Sequence, residues 1–478
     1  MFDFDATCPA QMSIQKINSD SFTPLLVLEN LDAKVLLESA YQETGKERYS
    51  LMMLSGAFII AKEKGHYFLK QDDFEFILDG MDKDKKFLDW LEFFRDLSPQ
   101  KPQTIRDIPV PLGGMGYLGY EFFEEIEEDV IFDKPKVIDA YDCAFIFGRD
   151  FLIFDHLYDE AYIISVSYAK ESEVFDLENR VAQIVNKLQN LSHKLFSQNV
   201  YPTAIISKDK HHDYIQAIKY IQEEIYAGNL LQCVPSQSMQ IKTDLPPLEA
   251  YRNLRHKNPS PYMFYFDFNF FKILGASPEV MIKVQDSILT LRPIAGTRPR
   301  GDTPAKDLNL QKELLNDEKE NAEHLMLVDL GRNDIGKVAL GGSVEVSEFK
   351  CIEKYSKVMH IVSEIKGKLD QDRYNSKDAI YATFPAGTVS GAPKIQAIKT
   401  IHKLEPHKRG IYSGLVGYFE KNGNLDSAIG IRTAIYQKGV YYLQAGAGIV
   451  YDSDPESEYK ETKNKMLALI EAITQKYS

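Results

Sequence analysis

Four glutamates stand out by their spacing. Glu458 and Glu461 lie three apart, with Lys465 four further on, behind Asp454-Pro455, which reads as a helix start with Asp at the N-cap and Pro at the first helical position. All three side chains then project from one helix face. Glu320 and Glu323 repeat the pair in Lys319-Glu-Asn-Ala-Glu-His324, ahead of the largely apolar run 325–330. On one helix alone, acids near the start are explained by the helix dipole. Two helices that each carry a carboxylate pair beside apolar surface offer what a hard cation such as Mg2+ takes: a few oxygens, with waters completing an octahedron.

Arg432 falls in a run, 428–435, whose alternation predicts a strand with Ala428, Gly430, Arg432 and Ala434 on one face. A solvated arginine is the ordinary alternative, but solvent faces are rarely lined by Ala and Gly. Space beside a guanidinium suits a carboxylate held by two parallel hydrogen bonds. The run Gln444-Ala-Gly-Ala-Gly448 is equally stripped of side chains, so its backbone can approach a ligand, unless it marks a mere bulge. Pro385-Ala-Gly-Thr-Val-Ser-Gly-Ala-Pro393 precedes a helix with Ile395, Ile398, Ile401 and Leu404 as its apolar stripe. Pro393 at the first helical position would set Thr388, Ser390 and Gly391 at an anion-attracting end, although capping alone explains Ser390. His360, in an apolar strand-like run, is either a buried structural histidine or an acid/base group. His211-His212-Asp213 reads as a capped surface helix start. With no Walker or GxGxxG spacing, the ligand these groups imply is a small polycarboxylate.

The elements that must position these groups fall in two parts. Residues 1–198 read as an N-terminal domain of short strands (57–61, 74–78, 144–147, 161–167) closed by an amphipathic helix over 174–191, and residues 199–478 as the domain carrying the chemistry; the polar stretch 192–199 marks the boundary. In the second part a helix runs to Gly228, strands occupy 230–241, 262–268 and 271–274, helices span 307–330 and start near Ser376, Lys421-Asn422-Gly423-Asn424 forms a hairpin turn, and a strand at 440–449 precedes the last helix. Antiparallel strands with segregated helices predict an α+β fold. With 56 Lys and Arg against 70 Asp and Glu, the net charge of −14 disfavours nucleic acid as a partner. The four cysteines, widely spaced and without zinc-type pairing, point to a reducing compartment. Neither an export signal nor a membrane span is evident, so the expected location is cytoplasmic.

These segments resemble the chorismate-utilising enzymes, and among them most closely the anthranilate synthase large subunits. The resemblance rests on Gly228-Asn-Leu-Leu-Gln-Cys-Val-Pro-Ser236, Leu274-Gly-Ala-Ser-Pro-Glu279, Arg292-Pro-Ile-Ala-Gly-Thr-Arg-Pro-Arg-Gly301, residues 318–334, 384–394 and 444–465, and more sparsely on Leu36-Leu-Glu-Ser39 and Gly113-Gly-Met-Gly-Tyr-Leu-Gly-Tyr-Glu121. It implies a sandwich of largely antiparallel sheets with helices outside. It implies Mg2+ held by Glu323 and Glu461, with Glu320 and Glu458 holding its waters. Ala295, Gly296, Thr297, Thr388, Tyr412, Arg432, Gly446, Gly448 and Lys465 would then bind chorismate, Glu279 would protonate the departing C4 hydroxyl, and His360 would serve the elimination of pyruvate.

Two positions separate the branches of this family. Members that add water carry a lysine base where this chain has Gln232, and a neutral amide cannot deprotonate water, so ammonia is the expected nucleophile. Members that make aminodeoxychorismate carry a lysine where this chain has Ala295. The expected reaction is therefore chorismate and ammonia to anthranilate and pyruvate, with the aminodeoxychorismate branch and a non-catalytic chorismate- or tryptophan-sensing subunit as the alternatives. Ser238 departs from relatives that often carry an arginine there. None of the cysteines has the setting of a glutamine-hydrolysing nucleophile, so a separate amidotransferase subunit is expected in a hetero-oligomer. Feedback by tryptophan is implied by resemblance at Glu38 and Ser39 and at Pro261, Tyr262 and Met263.

Overall fold

The computed structural model describes residues 2, 8–39, 48–192, 200–207, 210–355 and 358–475. Most of the boundary stretch expected at 192–199 lies outside these residues. The fold is α+β: among the described residues every strand ladder is antiparallel, and 21 strands join in one hydrogen-bonded sheet. Two ladders tie the first part of the chain to the second. Val35–Glu38 pairs with Tyr262–Asp267, setting Glu38 opposite Met263, and Met115–Leu118 pairs with Leu415–Phe419. Among the described residues no helix is long and apolar enough to cross a membrane.

Apolar side chains from both parts share one core, with Phe58, Trp90, Tyr117, Phe145, Phe268, Phe384 and Phe419 all buried. A second core packs Val27, Val181, Ile184, Tyr251, Met466 and Leu469 of four helices against the sheet. A third, smaller one joins Tyr214, Ile218 and Ile221 to Cys233, Ala397, Ile449 and Tyr459.

Local chemistry moves several element ends from their expected places. The helix expected over 174–191 is Leu177–Gln189, because Asp176 accepts from the amide of Asn179 and caps it; Val174 stays exposed. The helix expected over 307–330 is two, Pro304–Asn316 and Glu318–Gly336, since Asp317 caps the second through the amide of Glu320 (3.1 Å). That break places Glu320 and Glu323 in the opening turns of their helix. Asn375, not Ser376, caps Ser376–Thr383 with a capping box. Pro393 is the N-cap of Lys394–Leu404 rather than its first residue, and the helix buries Ala397, Ile398, Thr400 and Ile401 while Ile395 is exposed. His211 opens the helix His211–Tyr226 uncapped, pairing with Glu456 (2.9 Å) and edge-on to Tyr459. The hairpin at 421–424 and the helix Pro455–Thr474, capped by Asp454, stand where expected.

Candidate active site

Helix starts and strand ends converge to bring the expected residues together. Glu323 accepts from the Nε2 of Gln232 (2.8 Å), which lies in the two-stranded ladder Gln232–Cys233 with Gly391–Ala392. A Cβ at Gly448 would lie 2.6 Å from Gln232 Nε2 and 3.5 Å from Glu323 Oε1, so a side chain there would push the Gln232 amide out of its present place. The Oε1 of Gln232 is buried and has no hydrogen-bond partner among the described residues. On the last helix Glu461 pairs with Lys465 (2.8 Å), whose Nζ also donates to the carbonyl of Gly446 (3.0 Å). Gly446 is itself the ladder partner of Ser236, and a Cβ on it would press on the Tyr412 hydroxyl.

The four glutamates share one electrostatic field. Burial raises the pKa of Glu323, and Glu320 and Glu461 push it further, while Gln232 and Lys465 pull it down. Burial likewise raises Glu320 and Glu458, with Glu461 adding to both; Arg298, 3.3 Å from Glu320, opposes the first. Carboxylates so crowded that Glu461 raises all three of the others lack positive charge. Among the described residues no three His, Cys, Asp or Glu side chains form a ready metal cage. Hard oxygens from two helices with excess negative charge nevertheless suit Mg2+, which keeps much of its water and needs only one or two protein carboxylates.

Arg432 does not lie on a continuous strand. Leu425–Ile429 ends, Thr433–Gln437 begins, and Arg432 stands between them at φ 47°. The face shared with Ala428 and Ala434 is therefore broken, yet the guanidinium still reaches the site, where Glu279 and Tyr355 counter the effect of burial on it. No side-chain hydrogen bond or ion pair holds it among the described residues, which leaves its fork for a ligand. Glu279 follows the strand Lys272–Ser277 and is buried; burial raises its carboxyl to about 8 against the opposing pull of Thr388, the Ile294 amide, Lys465 and Arg432. The buried Thr388 hydroxyl lies by this carboxyl without closing a bond of good geometry. His360, in Val358–Lys368, sits opposite Thr297 in the ladder, with Nδ1 3.0 Å from both Thr297 Oγ1 and the Gly296 carbonyl. A carbonyl only accepts, so Nδ1 carries the proton and Nε2 keeps its lone pair. Burial and the charges of Arg432 and Lys465 push this imidazole down to about 4. Gly296, at φ 64°, turns the strand there, and Ala295 is buried opposite Ile361.

The remaining expected residues gather elsewhere, around a cavity of about 970 Å3 lined by Glu38, Ser39, Pro261, Tyr262, Met263, Tyr418 and Asp426 among others. Tyr262 donates to Asp426 (2.9 Å). Among the described residues, the Ser39 hydroxyl and the side-chain nitrogen of Asn258 are buried without hydrogen-bond partners. Glu38, expected to face a ligand ammonium, already accepts from Tyr251 (2.8 Å) and Arg255 (2.7 Å), so its charge is shared.

Sequence spacing did not single out Arg298, which joins Glu313, Asp317 and Glu320, nor Tyr355, edge-on to His360 at 5.4 Å. The Arg-Pro-Arg run at 298–300 was the available signal for the first.

A model of the chorismate binding enzyme family matches residues 34–471. The anthranilate synthase component 1 of Spirochaeta aurantia is 42% identical over 465 residues, covering 96% of this chain and 95% of its own. That of Pseudomonas putida is 39% identical, covering 95% and 93%. Among solved structures, anthranilate synthase component I from Streptococcus pneumoniae superposes with a TM-score of 0.77 at 33% identity over 95% of this chain and 99% of that one. The menaquinone-specific isochorismate synthase of Escherichia coli, 18% identical, shares the fold with a TM-score of 0.71. A family match across almost the whole chain, on a site with these carboxylates and this unengaged arginine, makes the protein a member of the chorismate binding enzyme family.

Proposed function

We propose that this chain is the chorismate-consuming component of an anthranilate synthase, joining ammonia to chorismate and releasing anthranilate and pyruvate. The observation that carries the reading is Gln232 beside Glu323: an amide, not a base, with a buried acceptor oxygen that has no partner. Such an oxygen can take an N–H of ammonia but cannot activate water. Ala295, buried opposite Ile361, places no ammonium where the aminodeoxychorismate branch carries lysine.

The residues divide the work. Arg432, Lys465, Tyr412 and the Gly448 amide hold the substrate carboxylates, and Thr297 and Thr388 line the pocket. Glu279, protonated near neutral pH, gives its proton to the departing hydroxyl. His360, neutral over the same range, takes up the ring proton at Nε2 as pyruvate leaves. Glu323 and Glu461 would hold Mg2+, with Glu320 and Glu458 available to its waters, and the cation would supply positive charge to a substrate carboxylate.

Ammonia must come from outside. Cys143 and Cys233 are buried thiols whose pKa burial raises, the second to about 12, Cys8 is half-buried, and Cys351 lies exposed on a strand. None is an activated nucleophile, and the docking of a glutamine amidotransferase subunit completes the reaction in the cytoplasm. With chorismate and Mg2+, the purified chain should produce fluorescent anthranilate from ammonium salts and none from glutamine. Product from glutamine alone, or none from ammonium, would overturn the reading. Gln232→Lys should divert part of the turnover to water addition, seen as a hydroxylated product by chromatography; an unchanged product profile would count against this account of nucleophile choice.

The 970 Å3 cavity supports feedback by tryptophan. Tyr262 and Met263 offer aromatic and polarizable surface to an indole, Glu38 negative charge to an ammonium, and Ser39 an unsatisfied hydroxyl. Ser39→Phe should raise the tryptophan concentration needed for half-inhibition at least tenfold with little loss of uninhibited rate. Inhibition curves that superpose on those of the unaltered protein would remove the site.

A further inference from the structure

The segments that carry Gln232, Thr388 and Tyr412 are far apart in sequence, and one buried side chain touches all three. Arg409 uses all five of its N–H donors. Nε and one Nη2 proton go to the two oxygens of Glu405 (3.0 and 2.6 Å). Nη1 donates to the Val389 carbonyl (2.8 Å) and the Ser413 hydroxyl (3.3 Å), and Nη2 also to the Val234 carbonyl (2.6 Å). Val389 follows Thr388, Ser413 follows Tyr412, and Val234 lies two residues past Gln232. Glu405 holds the same stretch as Gln232 a second time, accepting from the amide and hydroxyl of Ser236 (2.8 and 2.7 Å), opposite Gly446. The guanidinium lies 4.7 Å from the Tyr120 ring centroid and 5.4 Å from that of Tyr412.

The hub is also fixed from the N-terminal part. Glu121, at the end of the glycine-rich run 113–121, accepts from the amides of Arg409 (2.6 Å) and Gly410 (3.0 Å), while the Gly410 carbonyl takes the amide of Tyr120 (2.7 Å). None of Arg409, Glu405 and Glu121 has a part in the reaction as described above.

We propose that Arg409 is a positioning residue for the chorismate reaction, fixing the mutual spacing of Gln232, Thr388 and Tyr412, and that Glu121 ties this spacing to the N-terminal part of the chain. The proposal rests on the functional reading above. A buried ion pair can be structural only, in which case its loss lowers stability and leaves each folded molecule as active as before. A positioning role instead changes the folded enzyme, because misplacing binding groups by an ångström costs on the order of 100-fold in rate.

Arg409→Lys separates the two. Lysine keeps the charge, but its three donors cannot serve five acceptors at fixed directions. With folded protein counted by near-UV circular dichroism and calorimetry, the variant should show a chorismate KM about tenfold higher and a kcat about tenfold lower per folded molecule. Glu121→Gln, which turns one acceptor oxygen into a donor facing an amide, should lose several-fold in kcat/KM, and the double variant should lose little beyond Arg409→Lys, since both act through the 409–412 turn. If Arg409→Lys does not fold, Ser413→Ala removes one acceptor without touching the ion pair and should still raise the chorismate KM several-fold per folded molecule, at a melting temperature lowered by the unpaired guanidinium N–H. Folded Arg409→Lys, or in its place Ser413→Ala, with kcat/KM within twofold of the unaltered protein overturns the positioning role; a strictly additive double variant overturns the tie to Glu121. An unaltered protein inactive with chorismate and ammonium would instead count against the functional reading.

Discussion

Glu323→Gln is expected to cost about three orders of magnitude in turnover, or about 4 kcal/mol of transition-state stabilisation, with Glu461→Gln close behind. The amide keeps the shape but cannot supply the negative charge a hard cation requires. The unliganded variant should be no less stable than the unaltered protein. Glu323 is half-buried, and Glu320 and Glu461 both raise its pKa, so removing its charge relieves repulsion. Added Mg2+ should therefore raise the melting temperature of the unaltered protein and much less that of either variant. Unchanged turnover in both, or an unchanged melting response to Mg2+, would move the metal elsewhere.

Glu279→Gln should have the second largest effect, a loss of about 10^2 to 10^4 in kcat, the usual range for a missing general acid. The pH profile gives an independent test. A carboxyl raised to about 8 is protonated below that pH, so its contribution falls tenfold per unit above it, and this alkaline limb should vanish in the variant. His360, held near 4, adds no limb between pH 5 and 8. Stability is lost over a lower pH window. The ordinary value for Glu279 is 4.5, so as pH rises from about 4.5 through 8 the unfolded chain gives up a proton that the folded state keeps, and the fold is progressively weakened. Glu279→Gln should accordingly melt higher than the unaltered protein at pH 9 while being far less active. A variant that melts lower at that pH would place the carboxyl in solvent contact.

The carboxylates of the site were legible because their information is local: i, i+3 spacing on two helices survives errors in where each helix begins. The break at Asp317 shifted a helix start without moving Glu320 or Glu323 off their shared face. Arg432 was found by a pattern that does not hold, since small residues mark the turn between two strands as readily as one face of a single strand. What singles it out is its lack of a hydrogen-bond partner among the described residues, and that is visible only in three dimensions. Pro393 was placed one position too far into its helix because its φ of −61° suits either position, and only ψ, at 139°, decides. Arg409 could not be read at all. Its partners are two backbone carbonyls, the Ser413 hydroxyl and one nearby acid, and nothing in the sequence records which distant carbonyls a guanidinium will face.

The two ladders that unite the parts of the chain also set the order in which it can fold. Val35–Glu38 waits for residues more than two hundred positions later, and Met115–Leu118 for a strand roughly 300 positions on. Both are short apolar strands, and until synthesis passes about residue 419 at least one exposes a bare edge as the ribosome extends the chain. Such high contact order slows folding, and a chain truncated near residue 250 would keep both edges open, a template for self-association rather than an independent module.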